Sequence, residues 1–212
     1  MSSDEISSAQ FLAMLENAGE STIEKSQQLS ELDMIGDADF GINLSSGFEK
    51  VRAELSSLQD PDIGTILKTS GQVFVFDVGS TIGGLIGRAF QRAGKQFQGK
   101  RKISTQEFVM LLETVLATIQ EVGGAKLGDK TLVDALQPAV KAANDAVKSG
   151  ETSVRCILGI AVEAAEQGAK NTASMVAKIG RASYLGKRSL GAIDPGAMFI
   201  YVFLDAMSKA LK

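Results

Sequence analysis

The chain has 212 residues, of which 44% are hydrophobic, and a formal net charge of -3. This length suffices for one domain with a full hydrophobic core, and the composition favours neither a disordered nor a fibrous chain. The mild acidity and the spread of Lys and Arg along the chain predict no nucleic-acid surface. Histidine is absent, which excludes Ser-His-Asp catalysis, Cys-His catalysis and His-ligated zinc within the chain.

The cysteine content and the N-terminal sequence predict the compartment. The single cysteine, Cys156, cannot form an intrachain disulfide, which fits a reducing environment. The N-terminal stretch carries acidic residues where a signal peptide needs basic ones, and no window reaches the ~18 apolar residues of a membrane span. We therefore expect a cytoplasmic protein, folded as a single domain over residues 1–212, with no membrane association.

Apolar residues recur at three- and four-residue spacing through most of the chain, and this period predicts helices. The run Val73–Phe76 is the best strand candidate, but its neighbours favour a buried helix end, and we expect no strand. About eight helices are predicted. They run from about residue 8 to 31, through 42–55, from Asp60-Pro61 to about 77, after Gly79, from a capping box at Ser104, from near Asp129, from near Thr152 and from Asp194-Pro195.

Short connections between these helices favour an up-and-down bundle in which neighbours are antiparallel. Alternate loops then share one end of the bundle. The even-numbered loops are short and polar, whereas the odd-numbered ones are long, charged and rich in glycine, which predicts a binding site at their end. The odd-numbered loops are residues 32–41, 78–84, 122–130 and 180–195.

Two of these loops have the chemistry of a magnesium-nucleotide site. Three carboxylates within seven residues, Asp33, Asp37 and Asp39, would repel one another strongly without a cation, and oxygen ligands suit Mg²⁺ or Ca²⁺ better than zinc or copper. The glycines of residues 78–84 fall at a predicted helix start, where backbone N–H groups and the helix dipole favour phosphate.

Other interpretations of these residues stay open. An isolated D-x-D pair is common, and glycines between helices are usually caps. Arg181, Lys187 and Arg188 either form a solvated face or hold phosphates or an acidic partner. Tyr184 either packs within the protein or stacks on a base.

Four stretches of the chain resemble the nucleotide-binding subunits of dihydroxyacetone kinases, the DhaL family. They are Leu32–Gly47, Asp62–Phe90, Gly128–Pro138 and Gly180–Ala197. The motifs that carry the resemblance are I-G-D-A-D from Ile35, G-D-K-T from Gly128, and G-R-A-S-Y-L-G from Gly180 followed by D-P-G-A from Asp194. The match covers essentially the whole chain and lacks the sugar-binding domain, so it implies a separate subunit.

The resemblance implies an all-α barrel of eight antiparallel helices that holds ADP or ATP and two Mg²⁺ ions at one rim. It implies phosphotransferase activity, in which phosphate passes to dihydroxyacetone on a partner subunit and a phosphocarrier subunit recharges the nucleotide. A homodimer is left open. The implied metal ligands are Asp33, Asp37 and Asp39; the implied nucleotide contacts are Phe40, Gly41, Ile42, Asn43, Thr81, Ile82, Gly123, Leu132, Arg181, Asp194, Pro195 and Gly196.

The chain departs from the family pattern close to the expected chemistry. One residue fewer separates Asp33 from Asp37, which would rotate a helical Asp33 by ~100°. Either the loop unwinds to compensate or a metal ligand is lost. Phe40 replaces a histidine, and Ile82 replaces a serine. Two explanations follow: a divergent kinase subunit, or a nucleotide-binding regulatory or inactive paralogue. A helical scaffold that binds no nucleotide is the third hypothesis.

Overall fold

The computed structural model describes residues 5–33 and 38–211. Within this part of the chain, helices account for most residues, and two three-residue strands, β1 (Glu5–Ser7) and β2 (Lys102–Ser104), pair antiparallel. The described α-helices are α1 (Ser8–Glu24), α2 (Ser26–Glu31), α3 (Phe40–Ser56), α4 (Ile63–Asp77), α5 (Thr81–Gln96), α6 (Thr105–Gly123), α7 (Val133–Lys148), α8 (Val154–Asn171) and α9 (Pro195–Ala210). Two stretches of 3-10 helix, Thr172–Ser174 and Arg181–Ser189, lie between α8 and α9. None of the helices described combines the length and apolar character needed to cross a membrane.

Two of the predicted helix starts are confirmed. Ser104 begins a capping box before α6, since its hydroxyl accepts from the Glu107 amide at 3.2 Å and the Glu107 carboxylate accepts from the Ser104 amide at 2.9 Å. Asp194 caps α9, because its carboxylate accepts from the Ala197 amide at 2.8 Å, and Pro195 follows in the first helical turn.

The prediction that Asp60 caps the third helix is wrong. The cap is Asp62, whose two carboxylate oxygens accept from the amide of Thr65 at 3.1 Å and from its hydroxyl at 2.7 Å. Asp60 instead adopts a positive φ of 47° in the preceding turn and pairs with Arg101. Either aspartate side chain can act as an N-cap, and Asp62 does so because it directly precedes the first helical residue.

The predicted first helix is divided at Lys25 into α1 and α2. Hydrogen bonds from Lys25 N to Ser21 O and from Leu29 N to Lys25 O cross this joint, so the chain bends without reversing direction. The predicted sixth helix begins at Val133, because Lys130 has a φ of 61° and the residues before Val133 form a loop. Because the chain keeps its direction at Lys25, the division of the first helix leaves the loops alternating between the two ends of the bundle.

Helices that follow one another from α3 to α9 are neighbours, and α1 packs against both α3 and α9, which closes the ring. The predicted all-α bundle of antiparallel helices is confirmed. The run Val73–Phe76 lies within α4, as expected, whereas the short ladder of β1 and β2 was not expected. Its strands are too short to display a two-residue period.

Helices α4 and α5 approach closely along a glycine seam of four residues, Gly64 and Gly71 on α4 with Gly87 and Gly94 on α5. A Cβ atom on Gly71 would lie 2.7 Å from the carbonyl oxygen of Gly87, and one on Gly94 would lie 2.8 Å from that of Gly64. Backbone therefore contacts backbone along this seam, and each glycine is required by the space available.

Aromatic rings from four helices fill the middle of the bundle. The ring centroids of Phe48 (α3) and Phe74 (α4) are 4.9 Å apart at an interplanar angle of 72°, and Phe48 also lies 5.7 Å from Phe203 (α9). Phe90 of α5 and Phe199 of α9 extend the cluster. Edge-on and tilted pairs of this kind add to the stabilisation that burial provides, and they tie non-adjacent helices together.

Candidate nucleotide cavity

A cavity of about 260 Å³ lies at one end of the bundle, and residues from all four odd-numbered loops line it. Asp39 comes from the first of these loops, Thr81 from the third, Lys130 from the fifth and Arg181 from the seventh. Two of the even-numbered loops, residues 57–61 and 97–104, meet at the opposite end, where Arg101 pairs with Asp60. The predicted convergence of the glycine-rich loops is confirmed.

The first turns of three helices, α3, α5 and α9, contribute to the cavity wall, and so does Leu132, the residue before α7. The N–H groups at the start of a helix cannot bond within it, and the helix dipole makes this end positive. At α5, Ser80 accepts from the Gly83 amide at 3.2 Å, while Thr81 and Ile82, the first two helical residues, face the cavity. This arrangement favours an anion such as phosphate.

Carboxylates stand beside these helix starts. Asp33 and Asp39 both line the cavity, and Arg181 Nη1 lies 4.0 Å from Asp39 Oδ1. Asp37, the third expected metal ligand, lies outside the described residues, within which no group of three or more acidic, His or Cys side chains is close enough to hold a metal ion. Two carboxylates with no nitrogen or sulfur ligand suit Mg²⁺, which completes its coordination with water and phosphate oxygens.

The altered spacing of Asp33 does not remove it from the cavity. Helix α2 ends at Glu31, and the Asp33 amide donates to Ser30 O at 3.0 Å in the turn that follows. Asp33 is therefore not on a helix, and the ~100° rotation expected for a helical residue does not apply.

Part of the cavity wall is apolar. Leu85, Ile119 and Leu132 contribute to it, and two glycines allow close packing there. A Cβ atom on Gly123 would lie 3.2 Å from the Leu85 side chain, and one on Gly196 would lie 3.2 Å from Leu132 Cβ. A flat, largely apolar group such as a nucleobase matches this part of the cavity.

Most of the predicted nucleotide contacts are brought together here, but two are not. Gly41 is buried against α2, where its amide donates to Ser30 Oγ at 3.0 Å, and Ile42 is 61% exposed on the outside of α3. Those that line the cavity are Phe40, Asn43, Thr81, Ile82, Gly123, Leu132, Arg181, Asp194, Pro195 and Gly196. Phe40 and Ile82, which replace a histidine and a serine of the family pattern, are among them.

Three further residues of the seventh loop do not line the cavity. Tyr184 is 85% exposed, so it neither packs in the interior nor stacks in the cavity. Lys187 and Arg188 are exposed as well, which agrees with the interpretation of a solvated face.

Lys130 and Asp194 are buried in the cavity wall and influence each other electrostatically, which sequence reasoning missed. Burial raises the pKa of Asp194 to about 7, although the hydrogen bond from Ala197 and the charge of Lys130 both lower it. Burial likewise lowers the pKa of Lys130 from its ordinary value of 10.5, and Asp194 opposes this change. Lys130 lies in the G-D-K-T motif, but nothing local distinguishes a buried lysine from a solvated one.

The family comparison decides what kind of protein carries this cavity. Residues 34–209 match the model of the DAK2 domain. The chain belongs to the DAK2 domain family. Among its relatives, the "PEP-dependent dihydroxyacetone kinase, ADP-binding subunit DhaL" of Escherichia coli (strain K12) is 35% identical over 98% of this chain and 99% of its own length.

Two further comparisons place this DAK2 domain protein. The ADP-binding subunit DhaL of PEP-dependent dihydroxyacetone kinase 2 from Listeria innocua is 36% identical over 96% of this chain and 97% of its own length. The crystal structure of the dihydroxyacetone kinase of C. freundii in complex with AMP-PNP and Mg²⁺ superposes with a TM-score of 0.72 at 26% identity, covering 95% of this chain and 34% of that one. The resemblance seen in the sequence is confirmed.

Proposed function

We propose that this chain binds a magnesium-adenine nucleotide, ADP or ATP, in the cavity and is the nucleotide-holding subunit of a dihydroxyacetone kinase. The observation that carries the proposal is the meeting of Asp33 and Asp39 with the starts of α3, α5 and α9 around one cavity. Carboxylates for a metal beside N–H groups for phosphate are what a magnesium-nucleotide needs. The printed names of the two bacterial relatives support it, since each is an ADP-binding subunit.

Each part of the cavity has a role in this proposal. Asp33, Asp37 and Asp39 hold the metal, the starts of α3 and α5 hold the phosphates through Phe40, Asn43, Thr81 and Ile82, and the apolar wall with Gly123 and Leu132 holds adenosine. Arg181 and the turn Asp194–Gly196 close the pocket. The bound Mg²⁺ supplies neutralisation of the phosphate charge, and the protein supplies positioning, so the reaction needs no histidine in this chain.

The proposed acceptor is dihydroxyacetone on a partner subunit that docks at the cavity end of the bundle, because the two relatives are named as ADP-binding subunits of dihydroxyacetone kinases. Large apolar side chains exposed on the described part of the chain concentrate at that end, and they suit a protein partner. Of the large apolar side chains that are exposed, only Met110 on α6 and Ile160 on α8 lie away from the cavity end, within the described part of the chain. Those at the cavity end are Ile42, Phe76, Val122, Leu127, Tyr184 and Leu190.

A phosphocarrier subunit recharging ADP to ATP is the proposed phosphate donor, as "PEP-dependent" in the relatives' names suggests.

Calorimetric titration with ADP, with and without Mg²⁺, tests nucleotide binding. We expect binding that is much tighter with the metal. An absence of magnesium-dependent binding would contradict both the kinase and the paralogue hypothesis and would favour a scaffold.

The partner surface is tested separately with Phe76→Ser, since Phe76 is 80% exposed at the end of α4. We expect this variant to bind Mg-ADP normally while the partner subunit needed for half-maximal phosphate transfer rises about ten-fold or more. Met110→Ser is the matched control. Equal effects of the two substitutions would remove the assignment of this surface.

A second candidate function is a regulatory or inactive paralogue that binds nucleotide without transferring phosphate efficiently. Phe40 and Ile82 favour it, because both line the cavity and neither side chain can donate to phosphate. Phosphate transfer to dihydroxyacetone with the cognate partner subunits distinguishes the two functions. If wild type is inactive and Phe40→His with Ile82→Ser is active, the paralogue is the correct description.

A further inference from the structure

Lys130 lies at the junction of two loops, and its ammonium group is fully engaged inside the protein. Its side chain and backbone are 4% exposed, and its Nζ donates to Thr172 O at 2.8 Å, to Ser189 O at 2.7 Å and to Ala192 O at 2.6 Å. An ammonium group has three N–H donors. All three are used, so Lys130 has none left for a phosphate, although it lines the cavity.

The three acceptors share a position in the chain. Thr172 precedes the segment 173–193 and Ser189 and Ala192 are near its end, so one cation holds the neck of this segment from both sides. The segment carries Arg181 and several other residues of the cavity wall. Further hydrogen bonds close the same neck, from Gly191 N to Ala173 O at 2.8 Å and from Asp194 N to Thr172 Oγ1 at 2.9 Å.

Hydrogen bonds fix the backbone conformation of the loop in which the buried Lys130 lies. Lys130 itself has a φ of 61°, which residues other than glycine adopt rarely. On one side Asp129 accepts from the Lys126 amide at 3.0 Å, and on the other Asp134 accepts from the amides of Gly128 at 2.6 Å and Thr131 at 2.8 Å. Both aspartates are buried, so two fixed carboxylates hold the loop in which Lys130 stands.

We propose that Lys130 is a positioning residue that fixes the segment 173–193, and with it Arg181, against the apolar wall that follows it in the chain at Leu132. The inference rests on the proposed function, because the segment and Leu132 are the two walls between which the nucleotide would lie. Lys130 acts through these walls and makes no contact with the nucleotide. A preformed cavity binds more tightly than one whose wall must be ordered on binding.

The test compares Lys130→Met with Lys178→Met. Lys178 also links the two loops, since its Nζ donates to Gly128 O at 2.7 Å and lies 3.5 Å from Asp129 Oδ1, but its side chain is 61% exposed. We expect Mg-ADP affinity to fall about ten-fold or more in Lys130→Met and to stay within about two-fold in Lys178→Met, at unchanged helical circular dichroism. Affinity retained in Lys130→Met, or lost equally in both variants, would overturn the proposal.

Hydrogen exchange without nucleotide gives a readout that is independent of the proposed function. Amides at the neck, those of Ala177, Gly191 and Asp194, should exchange faster in Lys130→Met, while the amides of α4 and α5 stay as in wild type. Wild type that fails to bind Mg-ADP would contradict the proposed function, and this exchange pattern would still decide the role of Lys130. Unchanged exchange at the neck would overturn that role.

Restoring the cation chemically guards against a variant that does not fold. The variant Lys130→Cys, made in a Cys156→Ser background, is unfolded and treated with 2-bromoethylamine. The cysteine sulfur forms a C–S bond as the C–Br bond breaks, and bromide and a proton are released. The product carries an ammonium group on a side chain of nearly the length of lysine. After refolding, the aminoethylated protein should bind Mg-ADP within about three-fold of the Cys156→Ser parent, and the same protein treated with iodoethane should not. Equal affinity of the two products would overturn the inference. If the ethylated protein alone fails to refold, the ammonium group of Lys130 is required for folding, and the positioning role is overturned.

Discussion

The guanidinium group of Arg181 and the carboxylate of Asp39 meet in the cavity wall, with Nη1 and Oδ1 4.0 Å apart. The pair joins the loop before α3 to the loop before α9, which are separated by most of the chain. Both side chains are partly exposed, so the pair itself adds little to stability. Its significance is that a cationic and an anionic group meet where the proposed phosphates and metal would lie.

Asp39→Asn tests the carboxylate side of this pair. We expect affinity for ADP in the presence of Mg²⁺ to fall about ten-fold or more, because an amide oxygen carries no charge to hold the metal, while metal-free affinity changes much less. Titration calorimetry at matched ionic strength measures both. Asp77→Asn, which removes an exposed carboxylate paired with Lys50 at the end of α4, is the control and should bind like wild type.

Arg181→Gln tests the cationic side. We expect affinity for Mg-ADP to fall by about ten-fold, or roughly 1–2 kcal/mol, since a charge-assisted hydrogen bond to phosphate would be lost. Arg188→Gln changes the same charge in the same segment at a position away from the cavity and is the matched control. An equal loss in both variants would mean that the net charge of the segment, and no specific contact of Arg181, governs affinity.

The convergence of the loops was predictable because it depends on local signals: a helical period, capping residues and breakers. It survived the division of the first helix at Lys25, since hydrogen bonds carry the chain direction across the joint. The choice between Asp60 and Asp62 as a cap was not predictable from type alone. Asp62 gains an acceptor role toward Gly99 N at 2.9 Å, which only the folded chain brings near.

The role of Lys130 could not be predicted from the sequence either, because it depends on contacts with residues that are distant in the chain. Its three acceptors are 42, 59 and 62 residues away in the sequence, and each is a backbone carbonyl that leaves no trace in side-chain type. The spacing of Asp33 left two outcomes open, and the structure has the one in which Asp33 follows the end of α2 and still lines the cavity. Interactions with distant backbone decided what the residue pattern left undetermined.

Gly71→Ala tests the glycine seam between α4 and α5. The added Cβ would lie 2.7 Å from Gly87 O, so the two helices must separate, and we expect the free energy of unfolding to fall by roughly 2–4 kcal/mol. Gly159→Ala in α8 is the control, since its Cβ would meet nothing within 4 Å, and alanine there should be neutral or stabilising by up to about 1 kcal/mol. Urea unfolding of both variants decides the matter, and equal stabilities would mean that the seam tolerates a wider spacing.

Asp194→Asn tests the buried carboxylate through the pH dependence of stability. Burial raises the pKa of Asp194 from 3.8 to about 7, so the folded protein binds a proton that the unfolded chain releases between these values. Because the folded state binds more protons, the free energy of unfolding of wild type should fall as pH rises from 5 to 8, by roughly 2–3 kcal/mol relative to the variant. Asparagine still caps α9, and Asp194→Ser, another capping residue without charge, should show the same pH profile as Asp194→Asn. A stability difference between wild type and both variants that stays constant from pH 5 to 8 would show that Asp194 keeps one charge state across this range.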